Sequence, residues 1–378
     1  MELIYISPLR YPAEKAGSQF SMKSCESFAD RGWTVELWAP RRKNRLARED
    51  PFIFHGARKN FKIVFLPVLD LSPLKFFYVP MALSFAISVF FYALGRGLKN
   101  AVYYSHEEFA LFLLTFLRRD TVYEVHDFPA SGLFYRWLLG RVRLVVATNN
   151  WKKNKLGRQF NFPADRILSI PNAVDADAFA ISLGKGEARD KLGLARDKKI
   201  ILYSGHLFGW KGVDTLFEAS RFLNEGELIY FVGGVDKDIG EFKAKSEKLK
   251  VKNVVVVGRR PHGEIPIWLR AADVLVLPNT ARENISKYYT SPVKLFEYMA
   301  SGRPIVASDL PSVKALVDER MAVFFEPDNP KDLADKIHWV LENPQDAQNL
   351  ALLAQEEVLR YTWDKRAGCI IEFIEQNK

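Results

Sequence analysis

Short, continuous apolar runs, separated by helix-length segments, recur along this chain in two successive series. The first series reads Leu3–Ser7, Thr34–Ala39, Lys62–Leu66, Ala101–Ser105, Thr121–His126, Arg143–Ala147 and Ile167–Ile170. The second reads Lys199–Ser204, Leu228–Gly233, Asn253–Val257, Asp273–Leu277, Pro304–Ala307 and Ala322–Phe325. Unbroken apolar runs are what strands need when both faces are covered, and strand–helix alternation builds a parallel sheet. Between the series, "DADAFAISLGKGEARDKLGLARDKK" (175–199) is polar, contains glycine, shows no strand pattern and reads as a linker. The pattern implies an α/β protein of two doubly wound, Rossmann-like domains facing across a cleft, residues 1–175 and 176–361. Ligands of open α/β sheets bind beyond the carboxyl ends of the strands, so that cleft is the expected site.

Composition narrows the partners. The chain has 378 residues, 48% of them hydrophobic, and a formal charge of +9. The excess sits in the first half: residues 1–175 hold 25 Lys and Arg against 15 Asp and Glu, a net +10. Such asymmetry suits an acidic partner, namely a phosphate-bearing substrate or an anionic membrane surface. Nothing in the sequence has a nucleic-acid-binding signature, so no nucleic-acid partner is expected. Two cysteines, Cys25 and Cys369, make no disulfide framework or zinc spacing and fit a reducing compartment. "LIYIS" reads as a first strand rather than part of a signal peptide, so a cytoplasmic location is expected.

"FFYVPMALSFAISVFFYAL" (76–94) carries no charge and reaches the length of a membrane span. It contains Pro80 and lies between two strand-like runs, where a parallel sheet needs a crossover helix. It therefore reads as a buried or membrane-surface crossover helix. Lys75 before it, and Arg96 and Lys99 after it, suit contact with anionic headgroups.

Four stretches carry chemistry. "YSGHLFGWKGVDTLFEA" (203–219) is strand, glycine turn and helix, with Gly205, Gly209, Gly212 and Lys211. Backbone N–H groups, a helix start and a cation make a phosphate cradle, and an ordinary βα turn with a solvated lysine fits equally. Gly17 stands at a helix entry after the first strand, a backbone-donor geometry or a plain helix start. His126 and Asp127 end a strand in "YEVHDFP", where ligands bind in this architecture, although a lone histidine is often structural. In "SPVKLFEYMASG", Lys294 and Glu297 stand three apart on a helix entered through Ser291, Pro292 and Val293. Either they are a solvated surface pair, or N–H groups near Ser291 and Val293 hold an anion while Lys294 meets a phosphate and Glu297 a ribose diol. Asp175 and Asp177 read as a capped turn, Glu107 and Glu108 as a polar first turn, and no metal site is expected.

Taken in order, "GSQFSMKSCESFADRGWTVELWAP", "YEVHD", "RILSIPNAVD", "YSGHLFGWKG", "VVVVGRRPHGEIPIWLRAADVLVLPN" and "SPVKLFEYMASGRPIVASD" resemble the group 1 glycosyltransferases, glycosyltransferase family 4. The resemblance implies the GT-B fold, with a nucleotide-binding second domain, an acceptor-binding first domain and a final helix, 362–378, packing back on the first. It implies transfer from a nucleotide-diphosphate sugar, UDP- or GDP-linked, with retention and with no metal or other cofactor. By resemblance Glu297 binds the ribose and Lys211 neutralises the diphosphate. Gly17 lies near the phosphates, His126 near sugar and acceptor, and the base is read around Arg259 and Arg260. Two positions depart from the pattern. Tyr289 stands where a sugar-reading glutamate precedes Glu297, and His206 replaces an arginine beside Gly205. The expected reaction is transfer to a saccharide or lipid-linked acceptor in cell-surface polysaccharide or glycolipid synthesis, at or near the inner face of the membrane. Alternatives are a silent nucleotide-sugar-binding subunit or another GT-B enzyme such as a nucleotide-sugar epimerase.

Overall fold

A computed structural model describes residues 1–70, 78–97, 100–117, 120–248 and 251–378. All thirteen expected strands form, each displaced by no more than one residue at an end. They are β1 (Glu2–Ile6), β2 (Thr34–Pro40), β3 (Lys62–Leu66), β4 (Val102–Ser105), β5 (Asp120–Val125), β6 (Leu144–Ala147) and β7 (Ile167–Ser169) in one sheet. The other holds β8 (Lys199–Ser204), β9 (Glu227–Val232), β10 (Val254–Gly258), β11 (Val274–Leu277), β12 (Ile305–Ser308) and β13 (Val323–Phe325). The chain divides into two compact units, Met1–Pro171 with Trp363–Lys378, and Asn172–Thr362.

In the first unit the strand order is β3-β2-β1-β4-β5-β6-β7, with every described pairing parallel. Strand alternation sends Leu3 and Tyr5 to one face, against Met22 and Phe28 of helix Ala16–Asp30 and Ile370 and Ile374 of helix Trp363–Gln376. Ile4 and Ile6 go to the other face, against Phe85, Val89 and Ala93. Those three belong to helix Tyr78–Arg96, which is long and apolar enough to cross a membrane but here serves as the crossover from β3 to β4. Pro80 falls in its first turn, where a missing N–H breaks no intrahelical bond. Lys75 and Lys99 lie outside the described residues.

The second unit repeats the order as β10-β9-β8-β11-β12-β13. Residues 175–199 are not a linker but part of this unit. Asp175 caps helix Ala176–Phe179 through the Ala178 N–H at 3.4 Å, and helix Lys185–Leu192 ends on Gly193 in the left-handed region. Its polarity hid its anchorage. Buried Arg189 donates to the carbonyls of Ala271, Arg196 and Lys198 and to the Asp273 carboxylate, so a charged side chain does what apolar burial does elsewhere. In each sheet the order reverses beside the first strand, between β1 and β4 and between β8 and β11. Loops leave the strand ends there in opposite directions and open a place for a ligand.

Candidate functional site

The second unit's switch point gathers most of the expected residues. β8 ends at Ser204, and Gly205 follows with φ +129°. A Cβ at Gly205 would lie 2.6 Å from both Cε and Nζ of Lys294, so glycine makes room for that lysine. The ammonium rests 3.6 Å from the Tyr203 ring centroid, sealed from solvent and without a hydrogen-bond partner among the described residues. Burial pushes its pKa well below the ordinary lysine value, and Lys211 adds to the effect, while Glu297 opposes it. Burial raises the Glu297 carboxyl, against the pull of His262 and Lys294. Lys294 and Glu297 form no ion pair with any of the described residues. A solvated surface pair is excluded, because a buried cation lacking a counter-ion is a costly arrangement unless an anion completes it.

The neighbouring turn is equally constrained. Gly212 has φ +68°, and a Cβ there would meet the Pro278 carbonyl oxygen at 1.7 Å. The 209–212 turn therefore packs against the end of β11, and the Thr280 N–H donates to the Trp210 carbonyl at 3.4 Å. Lys211 is half-buried with Nζ 3.7 Å from the Trp210 ring centroid, and burial lowers its pKa to about 8. His206 stacks on Phe208 at 4.9 Å, and its pKa is lowered by burial, then by Lys294 and Lys211.

Helix Val293–Ala300 is pinned to this corner by Tyr298, whose hydroxyl accepts from the Ser204 N–H at 2.9 Å. No side chain caps its first turn, at Val293 and Lys294. Ser291 is buried, and Asn172 occupies it: the Asn172 N–H donates to its Oγ at 3.0 Å and Nδ2 to its carbonyl at 2.7 Å. Tyr289 ends a π-helical turn, Ile285–Tyr289. It is half-buried, with its ring 6.4 Å from that of Tyr288. Arg260 is exposed after β10 and donates to the Arg259 carbonyl at 3.1 Å. His262, which the motifs did not single out, packs on Phe179 at 5.7 Å and acts on Glu297.

The first unit's strand ends are built differently. Gly17 lies in the first turn of helix Ala16–Asp30, where a Cβ would meet Leu9 Cδ1 at 2.9 Å. His126 follows β5, its ring 4.8 Å from Phe20 and 5.2 Å from His106. His126 Nε2 lies 3.5 Å from Glu124 Oε1 and has no hydrogen-bond partner among the described residues. Glu124 is fully buried and pairs with Arg366 of the final helix. Burial pushes its carboxyl up, and Arg366, then His126, outweigh that and hold it below the usual carboxylate range. Buried Lys152 donates to the carbonyls of Val125, at 3.1 Å, and of His126, and to Thr148 Oγ1 at 2.7 Å. Burial lowers the Lys152 pKa to about 8. The motifs missed Glu124, Lys152 and Arg366. A charge inside a continuous apolar strand and an arginine on the apolar face of an amphipathic helix were the available signals. Among the described residues no group of His, Cys, Asp and Glu is arranged to hold a metal ion.

Two family models together span most of the chain: Glycosyltransferase Family 4 over residues 22–178 and Glycosyl transferases group 1 over residues 184–356. The chain belongs to the group 1 glycosyltransferases. Relatives of this glycosyltransferase include a D-inositol 3-phosphate glycosyltransferase of Xylanimonas cellulosilytica, 27% identical over 61% of this chain and 56% of the relative. Another is the UDP-Gal:alpha-D-GlcNAc-diphosphoundecaprenol alpha-1,3-galactosyltransferase of Escherichia coli, 28% identical over 52% of this chain and 53% of the relative. The chain thus spans little more than half the length of these curated relatives. Anabaena Alr3699/HepE, solved in complex with UDP, superposes with a TM-score of 0.76 at 19% identity over the full length of both chains. At that identity the likeness concerns the fold, and the glycosyltransferase has the GT-B fold.

Proposed function

We propose that this chain is a retaining glycosyltransferase that moves a sugar from a UDP- or GDP-linked donor to a saccharide or lipid-linked acceptor, in cell-surface polysaccharide or glycolipid synthesis. The observation that carries the reading is the unpartnered, sealed ammonium of Lys294 beside Lys211 at the end of β8, with Glu297 one turn further on. A diphosphate supplies the missing counter-charge, and the ribose diol supplies two donors for the Glu297 carboxylate. In this assignment Gly205 makes room for Lys294, and Gly212 lets the 209–212 turn that carries Lys211 pack against the Pro278 carbonyl. The N–H groups entering the 293–300 helix, positioned through Ser291 and Val293, add donors, and Gly17 plays a like part on the first unit. Arg260 and its backbone meet the base, and Tyr289 and His206 line the sugar and phosphate side. His126 meets the sugar and acceptor.

Charge grows on the diphosphate as the bond from sugar C1 to phosphate oxygen breaks, and preorganised cations stabilise it there. The acceptor oxygen bonds to C1 on the face the phosphate leaves, and its proton passes to the departing phosphate oxygen. Lysines and N–H groups cover the charge that a metal covers elsewhere, so no metal or other cofactor is assigned. Support comes from the family match, from HepE's complex with UDP, and from the lipid diphosphate named for the E. coli relative. We place the enzyme in the cytoplasm, peripheral on the membrane's inner face.

The test is release of nucleoside diphosphate from UDP- and GDP-sugars with and without chelator. Release that survives chelator and disappears in Glu297→Ala supports the reading. Donor binding without turnover on any acceptor would make the chain a silent binding subunit, a reading that Tyr289 in the glutamate position favours.

A further inference from the structure

Three consecutive helices cover one face of the first unit's sheet, and their outer sides are apolar. In helix Tyr78–Arg96, Val79, Leu83, Ile87 and Phe91 recur at every fourth position and Leu94 falls on the same side, opposite the buried Met81, Phe85, Val89 and Ala93. Phe91 is 63% exposed and Ile87 51%. The next helix, Glu108–Phe116, shares the core beneath through Ala110 and Leu114, and it ends on exposed Phe116. The third, Leu133–Leu139, joins through Phe134, 5.3 Å from both Phe109 and Phe112, and exposes Leu133 by 72% and Trp137 by 56%. Soluble proteins leave isolated large apolar side chains in water, and a set this large on adjacent helices marks a contact surface.

Charge says which contact. The three helices contain a single acid, Glu108, and it is engaged with the hydroxyls of Tyr123 and Tyr135. Cations border the apolar side: Arg136 is exposed, and Arg141 lies 5.4 Å from the Phe116 ring centroid while donating to the Trp137 carbonyl at 3.5 Å. Residues 1–175 hold the chain's whole positive excess, +10. Tyr78 and Trp137 add amphipathic aromatics of the kind that settle at headgroup depth. The 78–96 helix cannot span a bilayer while its other side fills the sheet core, but it can lie flat in one.

We propose that the outer face of helices 78–96, 108–116 and 133–139 is a docking surface for an anionic phospholipid bilayer. It inserts Leu83, Ile87, Phe91 and Trp137 and sets Arg136 and Arg141 among the headgroups. This deepens the proposed transfer to a lipid-linked acceptor by naming the surface that meets the membrane. It stands apart from that reading experimentally, because vesicle binding needs neither donor nor acceptor.

The experiment is flotation of the full chain with phosphatidylcholine vesicles, with and without phosphatidylglycerol, at low and high salt. The wild type should float with the anionic vesicles, and less so at high salt. Leu83→Gln/Ile87→Gln/Phe91→Gln should remain at the bottom of the gradient under both conditions. Arg136→Gln/Arg141→Gln should lose roughly thirtyfold in partition at low salt, at about a factor of five per interfacial cation. All these side chains are exposed, so donor turnover on a water-soluble acceptor should be unchanged in both variants. If the triple variant floats like the wild type, or the wild type does not float, the docking surface is refuted. If the wild type instead self-associates in solution and the triple variant does not, the face is an interface between copies and the proposal is equally overturned. Loss of donor turnover with intact flotation would count against the proposed function alone.

Discussion

The two switch points share a strand order and differ in how they treat buried charge. In the first unit the two buried ions behind His126 have partners within the chain: Glu124 has Arg366, and Lys152 has two carbonyls and a hydroxyl. In the second unit the Lys294 ammonium is sealed off against the Tyr203 ring and has no hydrogen-bond partner among the described residues. The first arrangement fixes a side chain in place, and the second sets a buried amine against a ring. Under the proposed function, the donor diphosphate is the group that would sit against that lysine.

That contrast can be broken from either side. The largest effect should come from Arg366→Met, which strands the Glu124 carboxylate in the core. A loss of about 3–5 kcal/mol is expected, read by urea unfolding. A loss under 1 kcal/mol would mean that the pair is not the anchor described. Gly205→Ala comes next, because it forces both an unfavourable φ and a clash with Lys294. It should lower stability by about 1–3 kcal/mol and nucleotide affinity with it. The double variant Gly205→Ala/Lys294→Ala should recover part of the stability, and strict additivity would remove the claim that glycine is there for the lysine. Glu297→Ala should weaken nucleoside diphosphate binding by about 1.5–3 kcal/mol in calorimetry, the range for hydrogen bonds to a charged group.

The smallest effect concerns pH and has two opposite signs. Lys211 has its folded pKa lowered to about 8, below the ordinary lysine value. Between those values the unfolded chain binds more protons, so this lysine's contribution to stability rises with pH through that window. Nucleotide affinity runs the other way, because the cationic form holds the phosphate, and it should fall as pH rises above about 8. Subtracting a Lys211→Met profile from the wild-type profile isolates both slopes. Slopes of the same sign would remove Lys211 from the phosphate site.

The same contrast explains what could be read from the sequence. All the strands were legible because strands covered on both faces are written as unbroken apolar runs. The cluster of Gly205, Lys211, Lys294 and Glu297 was legible because its parts come from short segments at strand and helix ends. The ion pair behind His126 was not, since Glu124 and Arg366 are 242 positions apart and meet only through packing of the final helix. Lys152 escaped for a similar reason, standing in a polar helix start that looks solvated. Residues 175–199 misled because Arg189 anchors a helix there with hydrogen bonds instead of apolar burial. The π-helical turn before Tyr289 has no sequence signature at all.

The most direct test of the proposed diphosphate site is Lys294→Met, melted with and without UDP and GDP. Without nucleotide the variant should be at least as stable as the wild type, by about 1–2 kcal/mol, because an unanswered buried amine is replaced by an apolar side chain of similar length. The rise in Tm that nucleotide gives the wild type should disappear. A variant that melts lower without nucleotide yet keeps the full nucleotide-induced rise would show that Lys294 holds the fold together and does not await an anion.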